Sequence, residues 1–280
     1  MPRALTLGAL GCLLGAALLS GGCAPSYRNE QLAQSIEQIC KTEYRYTVSA
    51  RLDGRTLAVL LQHDGILEQA GGQVSLSDGA NEILGNMIEV LHRVLLSTDA
   101  PIQFYALLVY DRSVPGVYLS LVRYIEDVRK ANAQMLAPTE FFSRTLLDLK
   151  MAATQTVDLS HMPLRDIHLE EFLSWQLAKR IQGRLAERLK KSGVSSVDVG
   201  QCEGKFQNGE FTFALNVAPH PGIGKALEEA RLQELFQEAT SVIAEVLASY
   251  QFDRFTAVRL IHPPTGRTLL LPKTRLDIFR

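Results

Sequence analysis

Apolar residues along this chain alternate between helical and strand periods, in an order that occurs twice. Leu32 to Cys40 has helical spacing and leads into two hairpin arms, Tyr46–Leu52 and Thr56–Gln62, separated by Asp53-Gly54. Ile83, Leu84, Met87, Val90, Leu91, Val94 and Leu95 then mark one stripe of an amphipathic helix, because neighbours three and four apart share a helix face. A second pair of apolar runs follows, Tyr105–Tyr110 and Val117–Tyr124, around Pro115-Gly116. From Leu177 the order recurs: a helix to Lys191, strands Val197–Phe206 and Phe211–Ala218 around Asn208-Gly209, and a helical stripe Leu235, Phe236, Ala239, Val242, Ile243, Val246 and Leu247. A last hairpin turns at Gly266. Asp-Gly and Asn-Gly favour tight hairpins because the turn demands positive φ.

Each half therefore reads α-β-β-α-β-β, and the predicted fold class is α+β: antiparallel hairpin sheets with one face covered by helices. Tyr105–Gly116 aligns with Phe255–Gly266 at an offset of 150, which suggests two related halves, 31–124 and 169–280. The intervening 125–168 reads as a helical linker. Helices are expected over Ile125–Met135 and Glu140–Met151, broken at Pro138, with a loop over 152–165.

The N-terminus carries a different pattern. Arg3 precedes an apolar run, Ala4–Leu19, which ends in Leu19-Ser20-Gly21-Gly22-Cys23, the layout of a secretory signal. A membrane-spanning helix needs about 20 apolar residues, and Ala4–Ala24 barely reaches that without a second charged flank, so removal of residues 1–22 is expected. The ending resembles the lipobox of bacterial lipoproteins, in which the cysteine is lipid-modified and becomes the new N-terminus. Ser20 stands where a large aliphatic is usual, and Ser20 with Gly22 also suits an ordinary signal peptidase. The resemblance implies lipidation of Cys23 and, with Ala24 rather than Asp next, passage to the periplasmic face of the outer membrane. More than one acyl chain gives stable anchoring, and residues 23–30 form only a short tether.

Composition narrows the function. Loss of residues 1–22 removes only Arg3 from the 29 Lys and Arg, leaving 28 against 30 Asp and Glu. Nucleic acid binding therefore has no electrostatic basis. Two thiols remain in the body, Cys40 and Cys202, one per half, and in an oxidising compartment they are a possible disulfide; two buried free cysteines are the alternative. His63 and His220 each follow the first hairpin of a half and are weak candidates for lining a pocket. Asp158, His161, Asp166 and His168 are ligand types for zinc-class ions, but their spacing matches no standard motif, so no metal is expected. Gly222-Ile223-Gly224-Lys225 lacks the first glycine and the hydroxyl of a phosphate loop, and no cofactor is expected. Lys179, Arg180, Arg184 and Arg188 give helix 169–191 a basic face that suits lipid headgroups, although such charges more commonly face water.

No nucleophile elbow or paired catalytic carboxylates are visible, so the sequence points to a non-enzymatic scaffold or partner-binding module in the envelope. A carrier or sensor of a small apolar or lipid ligand is the alternative, and an envelope hydrolase using His63 or His220 a third. The anchor expectation has a direct check. Cells fed labelled palmitate should incorporate it into the wild-type chain and not into Cys23→Ser; label retained by the variant contradicts it.

Overall fold

A computed structural model of the chain describes residues 27–151, 165–192, 197–219 and 229–276. The chain divides into two units, Met1–Phe142 with Leu147–Asp166, and Ser143–Leu146 with Ile167–Arg280. Cys23, Asp158, His161, His220 and the glycine turn at 222–225 lie outside the described residues.

The first unit begins with helix α1, Leu32–Ile39, which runs into a π-helical turn at Cys40–Tyr44. Strands β1 (Thr47–Asp53) and β2 (Thr56–Gln62) form a hairpin. A small second hairpin follows, β3 (Leu67–Ala70) and β4 (Gln73–Leu76), turning at Gly71-Gly72. Helix α2 (Ala80–Leu95) leads to β5 (Phe104–Tyr110) and β6 (Val117–Tyr124). Short helices α3 (Ile125–Asn132) and α4 (Pro138–Ser143) precede β7 (Leu146–Met151). The five-stranded sheet runs β1-β2-β5-β6-β7.

Its hairpins are antiparallel as predicted, but β2 and β5 pair in parallel. Parallel neighbours cannot be joined by a tight turn, so the chain must cross over through a helix, here α2. Leu57, Val59, Leu61, Tyr105, Leu107 and Val109 pack in one core with Leu32 and Ile36 of α1 and Met87, Val90, Leu91 and Val94 of α2. The opposite side of the same strands is also buried, with Ala58, Leu60, Leu108 and Tyr110 in a second cluster. The expectation of one buried face fails here, and the unbroken apolar runs of β2 and β5 are the signature of strands buried on both sides.

The second unit has helix α5 (Leu169–Lys191), then β8 (Val197–Val199), β9 (Glu203–Gln207), β10 (Glu210–Ala214) and β11 (Val217–Pro219). Helix α6 (Glu229–Ser249) precedes β12 (Ala257–His262) and β13 (Arg267–Pro272). Its four-stranded sheet is ordered β13-β12-β10-β9, with β8 and β11 as a separate pair. Again the outer pairs are antiparallel and the central pair, β10 with β12, is parallel. In this unit burial alternates along β10 and β12, so one sheet face is covered. Phe211 stacks on Phe213 and meets Phe206, Phe252 and Phe255 at tilted or edge-on angles in its core.

The two sheets share strand order and direction but not register. Tyr110 pairs with Tyr118, and the sequence offset of 150 would place Leu260 opposite Thr268, whereas Leu260 pairs with Leu269. The linker also differs from expectation. Its predicted second helix, Glu140–Met151, is a short helix followed by strand β7, because Leu147, Leu149 and Met151 also satisfy period 2. The ambiguity of a short apolar run was resolved by a place beside β6. The Asn208-Gly209 turn has both φ angles positive, at 52° and 77°. In the first hairpin the central residues are Gly54-Arg55 rather than Asp53-Gly54.

Gly204 of β9 is where α5 meets the sheet most closely. A Cβ there would overlap the Ser174 carbonyl and stand 2.9 Å from a Phe213 ring carbon. Gly204→Ala should therefore cost about 1–3 kcal/mol through overpacking, seen as a lower urea midpoint. Gly183→Ala, with nothing within 4 Å of its new methyl, should hold or raise the midpoint because alanine favours helix. Equal effects of the two would contradict the close contact.

Candidate functional site

Tyr105 of β5 and Arg123 of β6 face each other directly across the strand pair, and His92 of α2 meets them from the helix layer. Arg123 Nη1 donates to the Tyr105 hydroxyl at 3.2 Å, and that hydroxyl lies 3.1 Å from His92 Nε2. With the guanidinium on its oxygen, the phenol's own proton is directed at the imidazole. Phe141 closes the group, its ring centroid 4.5 Å from the Arg123 carbon, a cation–π contact. Tyr105 is fully buried and Arg123 nearly so. Burial, then the Arg123 charge, pushes the His92 pKa down to about 4, while burial pushes Tyr105 up to about 12 against the pull of Arg123. Proton-transfer catalysts titrate near the working pH, and neither His92 nor Tyr105 does. Their arrangement fastens α2 to the sheet. An arginine within the apolar run of β6 was the signal that sequence reading passed over.

Other buried polar groups are likewise engaged in folding. Asp111 accepts the Leu67 amide at 2.7 Å, the Ser113 amide at 2.8 Å and the Ser113 hydroxyl at 2.6 Å. Burial raises its pKa, but these bonds outweigh that and hold the carboxyl below its ordinary value. His262 donates from Nε2 to the Val217 carbonyl at 2.7 Å, and Thr265 Oγ1 lies 2.8 Å from Nδ1. Asp166, a candidate ligand in sequence, accepts the Arg55 amide at 2.8 Å and clamps the first hairpin turn, where Gly54 has φ +55°. His168 precedes α5, its carbonyl accepting the Phe172 amide. Among the described residues no cluster of three or more His, Cys, Asp or Glu could hold a metal.

His63 is half-buried; its Nδ1 lies 2.6 Å from the Asp64 carbonyl and its ring meets Tyr46 edge-on at 5.6 Å. The Asp64 carboxylate is taken by Arg112 at 2.8 Å and not by this imidazole. Cys40 and Cys202 are free and buried, which overturns the disulfide. Each sits in the core of its own unit, Cys40 with its sulfur 3.8 Å from that of Met87. Burial lifts both thiols to about 11, leaving them protonated and unreactive.

The basic face of α5 is largely occupied. Arg184 pairs with Glu238 and Glu245, Arg188 pairs with Glu238 at 2.9 Å, and Arg180 donates to Ser143 at 2.6 Å. Lys179 is exposed. Carboxylates seven apart on α6 pair with Arg184 and Arg188, two of the four candidates for lipid headgroup contact. An open cleft of about 590 Å³ lies between α5 and α6, lined by Arg184, Arg188, Lys191, Arg231, Glu234 and Glu238.

What remains exposed and apolar is concentrated away from these groups. Among the described residues the large exposed apolar side chains are Met135, Phe142, Leu149, Met151 and Leu270. Leu149 and Met151 lie on β7 and Leu270 on β13, both outermost strands of their sheets. Outermost strands are where a sheet can add another strand. The chain matches no known protein family, and no curated protein or solved structure is similar to it.

The half-buried imidazole gives a pH test. Between pH 6.5 and about 4 the unfolded chain binds a proton at His92 that the folded chain excludes, so stability is full above 6.5 and falls as pH drops through that window. At pH 5 the loss from this group should be about 2 kcal/mol. His92→Gln should flatten the difference between urea midpoints at pH 7 and pH 5; an unchanged difference contradicts the assignment.

Proposed function

We propose that this chain is a membrane-anchored envelope lipoprotein, lipidated at Cys23 and facing the periplasm from the outer membrane, which works as a non-enzymatic scaffold for a partner protein. The observation that carries this reading is the pair of outer strands, β7 and β13, that expose aliphatic side chains. Extended partners bind such edges by adding a strand: backbone bonds supply affinity and alternating side chains supply specificity. Asp111, Asp166, His262 and the two thiols are engaged in turns and packing.

The start of the folded body supports a position close to the bilayer. Tyr27 forms a parallel bridge with Thr98, and the Thr98 hydroxyl donates to the Tyr27 carbonyl at 2.8 Å. Three residues, 24–26, therefore separate Cys23 from the body, so a lipid on Cys23 would hold Tyr27 within about 14 Å of its attachment. No described helix is long and apolar enough to cross a membrane, and under this reading attachment comes from acyl chains.

A photo-crosslinking side chain at Leu270, in intact cells, should trap one envelope protein of discrete mass, and the product should vanish when the neighbouring exposed Thr268 is replaced by Pro to block strand addition. A smear of adducts, or one unaffected by Thr268→Pro, would overturn the scaffold reading at this edge.

A further inference from the structure

We infer that the α3–α4 hairpin is a membrane foot: Met135 and Phe142 enter the lipid surface that the Cys23 anchor brings against this end of the first unit. The inference rests on the anchor reading and adds to it a second, non-covalent contact with the same bilayer. Met135 is 76% exposed and Phe142 67%. Residues 131–139, which join the two helices, carry no charge, and all of them except Ala131 and Leu136 are fully exposed. Ionised side chains are costly in a bilayer, so an uncharged exposed run that bears Met and ends near Phe suits the boundary between headgroups and acyl chains. The backbone turns sharply to form it: Gln134 takes φ +58°, and the Met135 amide donates to the Lys130 carbonyl at 2.8 Å.

The place of the hairpin in the fold selects the occupant. β5 runs from Phe104 to Tyr110, about 20 Å at strand rise, so the sheet has two distinct ends. At the Phe104 end the Tyr27 amide donates to the Ser97 carbonyl at 3.3 Å, and the amide of Ile125, first residue of α3, donates to the Gln103 carbonyl at 2.8 Å. α4 stays close to this end. The Phe141 ring lies 6.3 Å from the His92 ring, and His92 is only about 8 Å along the helix axis from Ser97. The tether and the hairpin therefore leave from the same end of the unit. At the Tyr110 end, Asp111 instead holds the β3–β4 hairpin through the Leu67 amide. Because residues 24–26 are all that separate Cys23 from Tyr27, acyl chains on Cys23 draw the Phe104 end to the bilayer and leave the Tyr110 end away from it. Exposed Arg28 beside Tyr27 and Lys130 in the last turn of α3 supply cations for headgroup phosphates. A protein seated on the same hairpin would have to displace a bilayer already within reach of the tether.

The test uses the full lipidated chain in vesicles of phosphatidylethanolamine and phosphatidylglycerol. An environment-sensitive fluorophore is placed on Met135→Cys, on Phe142→Cys or, at the far end, on Gln69→Cys, an exposed position of β3. Cys40 and Cys202 are buried and the Cys23 thiol is taken up by its lipid thioether, so labelling is confined to the new thiol. A nitroxide on the lipid acyl chains should quench the fluorophore at 135 and 142 about twofold or more and leave the one at 69 unchanged. On the Phe142→Cys background, Met135→Asp should reduce that quenching about twofold, whereas Gln69→Asp should not alter it. Flotation of each labelled chain with the vesicles reports the anchor independently. Chains that float with 135 and 142 unquenched overturn the foot and leave the anchor standing. Equal quenching at 69 also overturns it, because the unit then has no preferred end. A photo-crosslinker at 135 that traps one discrete protein in intact cells, with no lipid adduct, overturns it in favour of a protein partner. Chains that do not float overturn the anchor, and the foot with it.

Discussion

In each sheet the central strands, β2 with β5 and β10 with β12, lie in parallel, and much of the architecture follows from that pairing. A parallel pair cannot close through a turn, so each unit must spend a helix, α2 or α6, on returning the chain. That helix has to be amphipathic to rest on the sheet it crosses, and the stripes from Leu84 to Leu95 and from Leu232 to Leu247 supply the apolar side. The flanking hairpins add antiparallel neighbours outward, which places β1, β9 and β13 at the rims, while β7 lies beyond β6.

A sheet assembled this way must accommodate polar groups trapped in its layers. A buried donor or acceptor without a partner costs more than a typical hydrogen bond contributes. Arg123 therefore sits with Tyr105 and under Phe141, and His92 stays neutral where charging it would bury a cation beside a guanidinium. Asp111 and Asp166 do comparable work at turns, drawing backbone amides onto a carboxylate. On α5 the positive row is matched by glutamates of α6. Exposed pairs of that kind contribute little stability, but they remove the surplus of one sign that an anionic surface would attract.

The contrast between chemistry and surface shapes the functional reading. Groups that sequence reading singled out for reactivity are spread among a turn clamp, a helix entrance, two separate cores and a ring contact. Large aliphatic side chains, which normally seek cover, stand exposed on outermost strands.

Residue pattern alone determined that the chain is α+β, where most helices and hairpins fall, and that Asn208-Gly209 would turn with positive φ, since periodicity and turn chemistry act over neighbouring residues. The sequence reading expected one buried face, and only the sheet showed that β2 and β5 are buried on both. Other features needed the tertiary structure. Which strands lie side by side, and in which direction, depends on closing loops of tens of residues. Leu147, Leu149 and Met151 fit either a helix or a strand until β6 supplied a place for backbone bonding. Cys40 and Cys202 looked pairable because sequence carries no distance, and only the separate cores decided against it. Arg184 and Arg188 looked free because their partners lie 50 or more residues further along. Local interactions are written in the order of residues; long-range pairing is a competition among many contacts, and only the folded chain shows which of them won.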